Sequence, residues 1–227
     1  MAKEPTPLIA RTLAASVRTG PSQPTFWDTA EEPALTPLVG RVARRDLGSG
    51  AWVDHLPGWI TGSEAVLEVL LGDIGWREDR RQMYDRQVAV PRLLRWYGGA
   101  GILPHPLLAE ARSALNAYYQ AGERDRFVTA GLCLYRDGRD SVAWHGDRLG
   151  RGATDDTMVA IVSFGSPRPL MLRPTGGGAP TMRFPLGHGD LVVMGGSCQR
   201  TWEHCIPKTA RPVGPRVSVQ FRPTGVA

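Results

Sequence analysis

Near residue 120 the spacing of apolar residues changes from helical to alternating. Before it, Leu107, Leu108, Ala111, Leu115 and Tyr118 recur at helical spacing and predict a helix from Pro106 to about Gln120. After it the period is two. Strands are expected at Phe127–Tyr135, Met158–Phe164, Pro169–Arg173, Thr181–Leu186, Asp190–Met194, Arg200–Cys205 and Arg216–Arg222. Turns such as Asp137-Gly138 and Gly176-Gly177-Gly178 separate them, and 27 glycines and 19 prolines suit a turn-rich chain. Helices followed by a run of short strands predict an α+β, mainly β fold. The expected form is a double sheet of jelly-roll type, buttressed by two or more helices.

Upstream, strands are expected around Leu38–Val42 and at Ala51–Leu56. Thr61-Gly-Ser-Glu64 has the form of a capping box for a helix running through Val66 and Leu67 to Leu71. Residues 1–38 read as an extended, proline-rich leader, and 39–227 as a single domain. Hydrophobic residues at 42% and charged residues at 22% exclude wholesale disorder. No apolar run approaches the ~20 residues that cross a bilayer. Three cysteines without a C-x-x-C pair argue against a disulfide framework and a cysteine-based zinc module. The expectation is a soluble monomer in a reducing compartment, the cytoplasm, with no membrane partner. The net charge of +5 comes almost entirely from arginine and suits either a polyanionic partner or a compositional bias.

Five histidines narrow the chemistry. His145-Gly146-Asp147 is an H-x-D motif, and His204 follows after room for several strands. Two histidines and one carboxylate are the facial triad that holds Fe(II) and leaves open positions for a co-substrate and O₂. A second H-x-D, His188-Gly189-Asp190, leaves space for little more than one hairpin before His204, so His188 is expected to fix a turn. In the final strand, alternation puts Arg216, Ser218, Gln220 and Arg222 on one face and Val217, Val219 and Phe221 on the other. The polar face suits a dicarboxylate in a cavity, or else a solvated edge. Tyr135, on the strand leading to the H-x-D loop, could complete such a site; Trp202 shares a strand face with His204 and could wall it. Between residues 76 and 99 the chain is dense in arginine, with Arg77, Arg92 and Arg95 interleaved with Trp76, Tyr84, Trp96 and Tyr97. This segment reads as a nucleic-acid lid or as a solvated, self-neutralising surface.

Tyr135-Arg-Asp-Gly138, Trp144-His-Gly-Asp147, His188-Gly-Asp-Leu191, Trp202-Glu-His204 and Arg216-x-Ser-x-Gln-x-Arg222 together resemble the AlkB-like family of Fe(II)/2-oxoglutarate-dependent dioxygenases. The resemblance covers about residues 88–223, beginning at Val90-Pro-Arg92 and Tyr97-Gly98. It implies a double-stranded β-helix, with Fe(II), 2-oxoglutarate as co-substrate and O₂. It implies His145, Asp147 and His204 as catalytic iron ligands. Tyr135, Arg216, Arg222 and, at the family's asparagine position, Ser218 would bind the co-substrate. The implied activity is oxidative dealkylation of alkylated nucleobases, a DNA repair reaction that releases succinate, CO₂ and an aldehyde. Alkylated DNA would be the partner, with RNA as the other candidate. Trp76, Arg92, Trp96, Tyr97 and Arg148 are the expected substrate contacts.

The chain departs from the family pattern in places. Arg148 and Leu149 stand where an acidic residue commonly follows the H-x-D, Cys133 replaces an asparagine, and Gln220 replaces a threonine. These changes leave the expected iron and arginine positions intact and bear on base recognition. Two other readings stay open: a dioxygenase of this fold acting on protein, RNA or a small molecule, and a non-catalytic cupin-like module.

Overall fold

The computed structural model describes residues 31–226 apart from 73, 84 and 85. Residues 1–30 of the expected leader, and Tyr84, lie outside the described residues. The strands are β1 (Ala34–Leu35), β2 (Ala43–Gly48), β3 (Ala51–Leu56), β4 (Ile60–Thr61), β5 (Arg77–Met83), β6 (Arg86–Tyr97) and β7 (Phe127–Tyr135). They continue with β8 (Val142–His145), β9 (Val159–Gly165), β10 (Arg168–Pro174), β11 (Met182–Leu186), β12 (Asp190–Gly196), β13 (Trp202–Ile206) and β14 (Arg216–Pro223). The helices are α1 (Glu64–Leu71), α2 (Pro106–Tyr118) and the single turn α3 (Cys198–Thr201).

The chain is a double-stranded β-helix. Eight antiparallel strands form the major sheet in the order β2-β3-β12-β9-β14-β7-β6-β5, and four form the minor sheet, β11-β10-β13-β8. The two cores follow from strand alternation. On the outer face of the major sheet, Val217, Val219 and Phe221 of β14 and Val162 and Phe164 of β9 pack against Val66 and Leu70 of α1 and Leu108, Ala111 and Leu115 of α2. On the inner face, Ile161, Val192 and Met194 meet Leu170, Leu172 and Phe184 of the minor sheet. Strand β9 is apolar almost throughout because both of its faces are covered. Each such Leu, Val or Phe contributes roughly 1.5–3 kcal/mol by leaving water.

Several expectations shift. The strand expected at Leu38–Val42 begins instead at Ala43, because the Leu38 carbonyl accepts from the Arg41 and Val42 amides in a turn. Ala34 and Leu35 pair with Thr61 and Ile60, and Leu38 is buried in the outer core, so the described body starts ahead of residue 39. The capping box is absent. Thr61 lies in β4, the N-cap is Ser63 in a helical conformation, and its side chain makes no capping bond. Helix α2 starts at Pro106 as expected and ends at Tyr118, and its N-terminus is capped by His105, whose Nδ1 accepts from the Leu107 amide. The strand expected from Arg200 starts at Trp202, since Cys198–Thr201 form α3. Strands β5 and β6 pair antiparallel with each other, and β6 pairs with β7, extending the major sheet at its β7 edge.

Candidate metal centre and its groove

The inner faces of the two sheets enclose a cavity. From the minor sheet, β8 and β13 run antiparallel with His145 opposite His204, their ring centroids 4.3 Å apart. Asp147 follows β8 by two residues. Its turn is held by the Gln199 Oε1 of α3, which accepts from the Asp147 amide at 3.1 Å. Gly146 lets the backbone come this close: a Cβ there would sit 2.3 Å from the Gln199 carbonyl oxygen. One ligand atom from each of His145, Asp147 and His204 lies within 4.8 Å of the others.

The protonation of this cluster suits a divalent cation. His145 Nδ1 lies 2.8 Å from the Ala143 carbonyl. A carbonyl can only accept, so Nδ1 carries the proton and Nε2 is left as the ligand atom. Burial, with the neighbouring His145, pushes the His204 imidazole down to about 3 and keeps it neutral. Burial alone would raise the Asp147 carboxyl. The Arg222 guanidinium and the two imidazoles outweigh it and hold the group at about 2. Arg222 donates from Nε and Nη2 to Oδ2 at 3.0 and 2.9 Å, leaving Oδ1 toward His145. Two imidazole nitrogens and one ionised carboxylate oxygen form the donor set Fe(II) takes.

The major sheet supplies the other wall. Arg216, Ser218, Gln220 and Arg222 of β14 and Cys133 and Tyr135 of β7 all line the cavity. Arg216 is only 1% exposed. Its Nε donates to Ser163 Oγ at 2.9 Å, and its Cζ lies 5.1 Å from the Tyr135 ring centroid. Its Nη1 has no hydrogen-bond partner among the described residues. A buried donor left open on a charged group is a place for an anion, and a carboxylate fits it. Burial raises the Tyr135 phenol to about 12, so it stays a donor.

The cavity opens into a groove that shares Arg92, Cys133, Gln220 and Arg222 with it. The groove is bounded by Arg77, Glu78, Asp79, Leu94 and Trp96 of β5 and β6 and by Leu149 beyond the Asp147 turn; Arg95 touches its rim but turns its guanidinium to the Tyr97 ring on the other face. Alternation along β6 puts Arg92, Leu94 and Trp96 on this face. Tyr97, expected here, falls on the other face and packs on the outer core. Trp76 also lies away from the groove: its indole N–H donates to the Leu70 carbonyl, and it packs against the same core. Arg148 is exposed and pairs with Glu203 at 3.1 Å, outside both linings. Trp202 packs against the inter-sheet core and does not line the cavity.

The second H-x-D has a structural role, as its spacing suggests. His188 Nδ1 accepts from the Gly165 amide at 2.7 Å, and Asp190 accepts from the Gly58 and Gly187 amides. Ser163 and Gln199 were missed by sequence reasoning. Ser163 left one trace, as a polar residue at an inward position of an otherwise apolar strand; Gln199 left none.

The 2OG-Fe(II) oxygenase superfamily matches residues 65–222. The chain belongs to that superfamily. Its cofactors are Fe(II), 2-oxoglutarate and O₂, and His145, Asp147 and His204 fit the first. Within the superfamily the chain is similar to AlkB homologues. It is 31% identical over 186 residues to the human alpha-ketoglutarate-dependent dioxygenase alkB homolog 3, covering 73% of this chain and 64% of that protein. It is 29% identical over 162 residues to the human DNA oxidative demethylase ALKBH2, covering 63% of this chain and 60% of that one. The chain thus spans somewhat under two thirds of these relatives. Among solved structures, OsALKBH1 has a TM-score of 0.54 at 13% identity, covering 80% of this chain and 100% of that one. A prolyl hydroxylase from Trichoplax adhaerens has a TM-score of 0.51 at 11% identity, covering 75% and 83%. These likenesses show the shared jelly roll. No described helix is long and apolar enough to cross a membrane.

Proposed function

We propose that the protein oxidatively dealkylates alkylated bases in nucleic acid, using Fe(II), 2-oxoglutarate and O₂. The observation that carries this reading is the continuity of the partly buried His145/Asp147/His204 cluster with a groove edged by Arg77, Arg92 and Trp96. The names of the similar proteins, dioxygenase and DNA oxidative demethylase, agree with it.

The bound iron with its co-substrate and O₂ supplies the oxidation of the N-alkyl C–H bond, as 2-oxoglutarate becomes succinate and CO₂. His145 Nε2, Asp147 Oδ1 and His204 hold the metal. Arg222 restrains the Asp147 carboxylate so that one oxygen faces the metal position. Arg216, flanked by Tyr135 and Ser218, takes the far carboxylate of the co-substrate through its open Nη1. Val142, Ile161, Leu170 and Ile206 keep that end dry. Trp96 offers a half-exposed indole for base stacking, and the groove arginines take phosphates. Leu149 and Cys133, which replace polar family residues along the groove, favour a bulkier or less polar adduct than a single methyl group.

The test is incubation with Fe(II), ascorbate and 2-oxoglutarate, with and without oligonucleotides bearing 1-methyladenine, 3-methylcytosine or etheno adducts. Base reversion coupled to succinate is expected. Succinate formed equally with and without every oligonucleotide would overturn the nucleic-acid assignment.

A further inference from the structure

The inner end of the cavity holds a second buried cation that does not line it. Arg168, at the start of β10, is 2% exposed. Its Nη1 donates to the Asp137 carbonyl at 3.0 Å, and its Nη2 to the Asp140 and Pro207 carbonyls at 2.9 and 2.7 Å. Its Cζ lies 5.8 Å from the Tyr135 ring centroid, as Arg216 lies 5.1 Å from the same ring. Tyr135 is therefore in contact with two guanidinium groups. Neither is neutralised by a direct ion pair among the described residues. The carboxylates of Asp137 and Asp140 are engaged by Arg139 and Arg136, and Arg216 has only neutral partners.

Two unneutralised buried charges repel each other and carry a desolvation cost that neutral carbonyls offset only in part. Burial depresses both guanidinium groups from their ordinary value. Such an arrangement is most stable with an anion beside it. Among the described residues two donors of the pair are open, Arg216 Nη1 and Arg168 Nε; Arg216 lines the cavity, whereas Arg168 does not and its Nη atoms donate to the loops at 137–140 and 207. These carbonyl bonds also tie together the chain leaving β7, the chain leaving β13 and the start of β10, which frames Tyr135.

We propose that Arg168 is a positioning residue for the co-substrate: acting through Tyr135 and by its field, it makes the Arg216 end of the cavity select an ionised far carboxylate. This rests on the co-substrate reading above. At an effective dielectric near 20, a unit charge about 10 Å from a carboxylate changes affinity roughly tenfold.

The experiment is anaerobic calorimetric titration of the Fe(II)-loaded protein with 2-oxoglutarate and with its 5-methyl ester, whose far carboxyl group is uncharged. In the wild type, 2-oxoglutarate is expected to bind at least roughly tenfold more tightly. Arg168→Met should cut that preference roughly tenfold by weakening 2-oxoglutarate alone, the remainder resting on Arg216, and Arg168→Lys should restore part of it. In turnover, Arg168→Met should raise KM for 2-oxoglutarate with little change in kcat. A purely structural role would weaken both ligands alike, in step with a fall in Tm, and would overturn the proposal. So would a wild type that binds both ligands equally, a comparison that stands even if Arg168→Met does not fold. A wild type that binds neither ligand would overturn the co-substrate reading itself.

Discussion

Two His-Gly-Asp sequences in one chain end in opposite environments, and single residues decide which is which. At His145 the carbonyl of Ala143 occupies Nδ1 and leaves Nε2 facing the Asp147 carboxylate of its own motif; at His188 Nδ1 is already taken by a backbone amide, Nε2 faces Glu64 of α1, and the Asp190 carboxylate is taken by two backbone amides. His145→Ala and Asp147→Ala are expected to abolish stoichiometric iron binding, measured by metal analysis after dialysis. His188→Ala should keep the metal and cost about 1–3 kcal/mol in denaturant unfolding, because it strands the Gly165 amide. Retention of iron by His145→Ala and its loss by His188→Ala would reverse the assignment. The same residues set a pH dependence. His204 is held near 3 in the fold, below its unfolded value near 6.5, so the unfolded chain binds the extra proton between those values. Stability of the metal-free protein should therefore fall as pH drops from about 6.5, by at most about 1.4 kcal/mol per pH unit from this group. Asp147, held near 2, contributes stability that is present above about 4 and lost as pH falls toward 2. Urea midpoints taken from pH 7 to 4 check the first of these, and His204→Gln should flatten the slope.

Among the elements, the β5–β6 pair is where strand alternation matters most. The arginine and aromatic content of 76–99 was legible in the sequence, but which side chains face the groove depended on a pairing register that composition does not encode. β6 pairs with β7 so that Trp96 lies opposite Gly131, whose missing side chain leaves room for the indole. Tyr97, one residue on, necessarily points to the helices. Trp96→Ala is expected to weaken binding of a single-stranded oligonucleotide by about 1–3 kcal/mol with little change in Tm, whereas Tyr97→Ala should lower Tm and leave affinity nearly unchanged. Fluorescence anisotropy across a salt series extends the test. Removing Arg77 or Arg92 should lessen the slope of log affinity against log salt by about 0.7 for each phosphate left unpaired. An unchanged slope would remove those arginines from the interface.

Across the whole molecule, the expected metal ligands all come from the minor sheet or its loop, and the expected co-substrate residues all come from the major sheet. Metal and co-substrate bound together would thus join the two layers. Adding both should raise Tm by more than the sum of either alone. At a hundredfold excess over Kd, one ligand that binds only the folded state adds about 2.7 kcal/mol. Additive shifts in a thermal scan would show that the two sites do not communicate across the cavity. The amino-acid sequence by itself determined the layers: alternation in β14 and β9 and helical spacing in α2 state which faces are apolar, and burial of those faces permits few architectures. It also determined the spacing of His145, Asp147 and His204, because their side-chain chemistry is local and the H-x-D turn is short. Only the tertiary structure decided the rest. Arg168 at the cavity's inner end, Gln199 on the Asp147 amide and Arg222 on the Asp147 carboxylate each depend on pairings between residues 28 to 75 positions apart in the chain. Such pairings are set by how strands align and sheets stack, and no local periodicity carries that information.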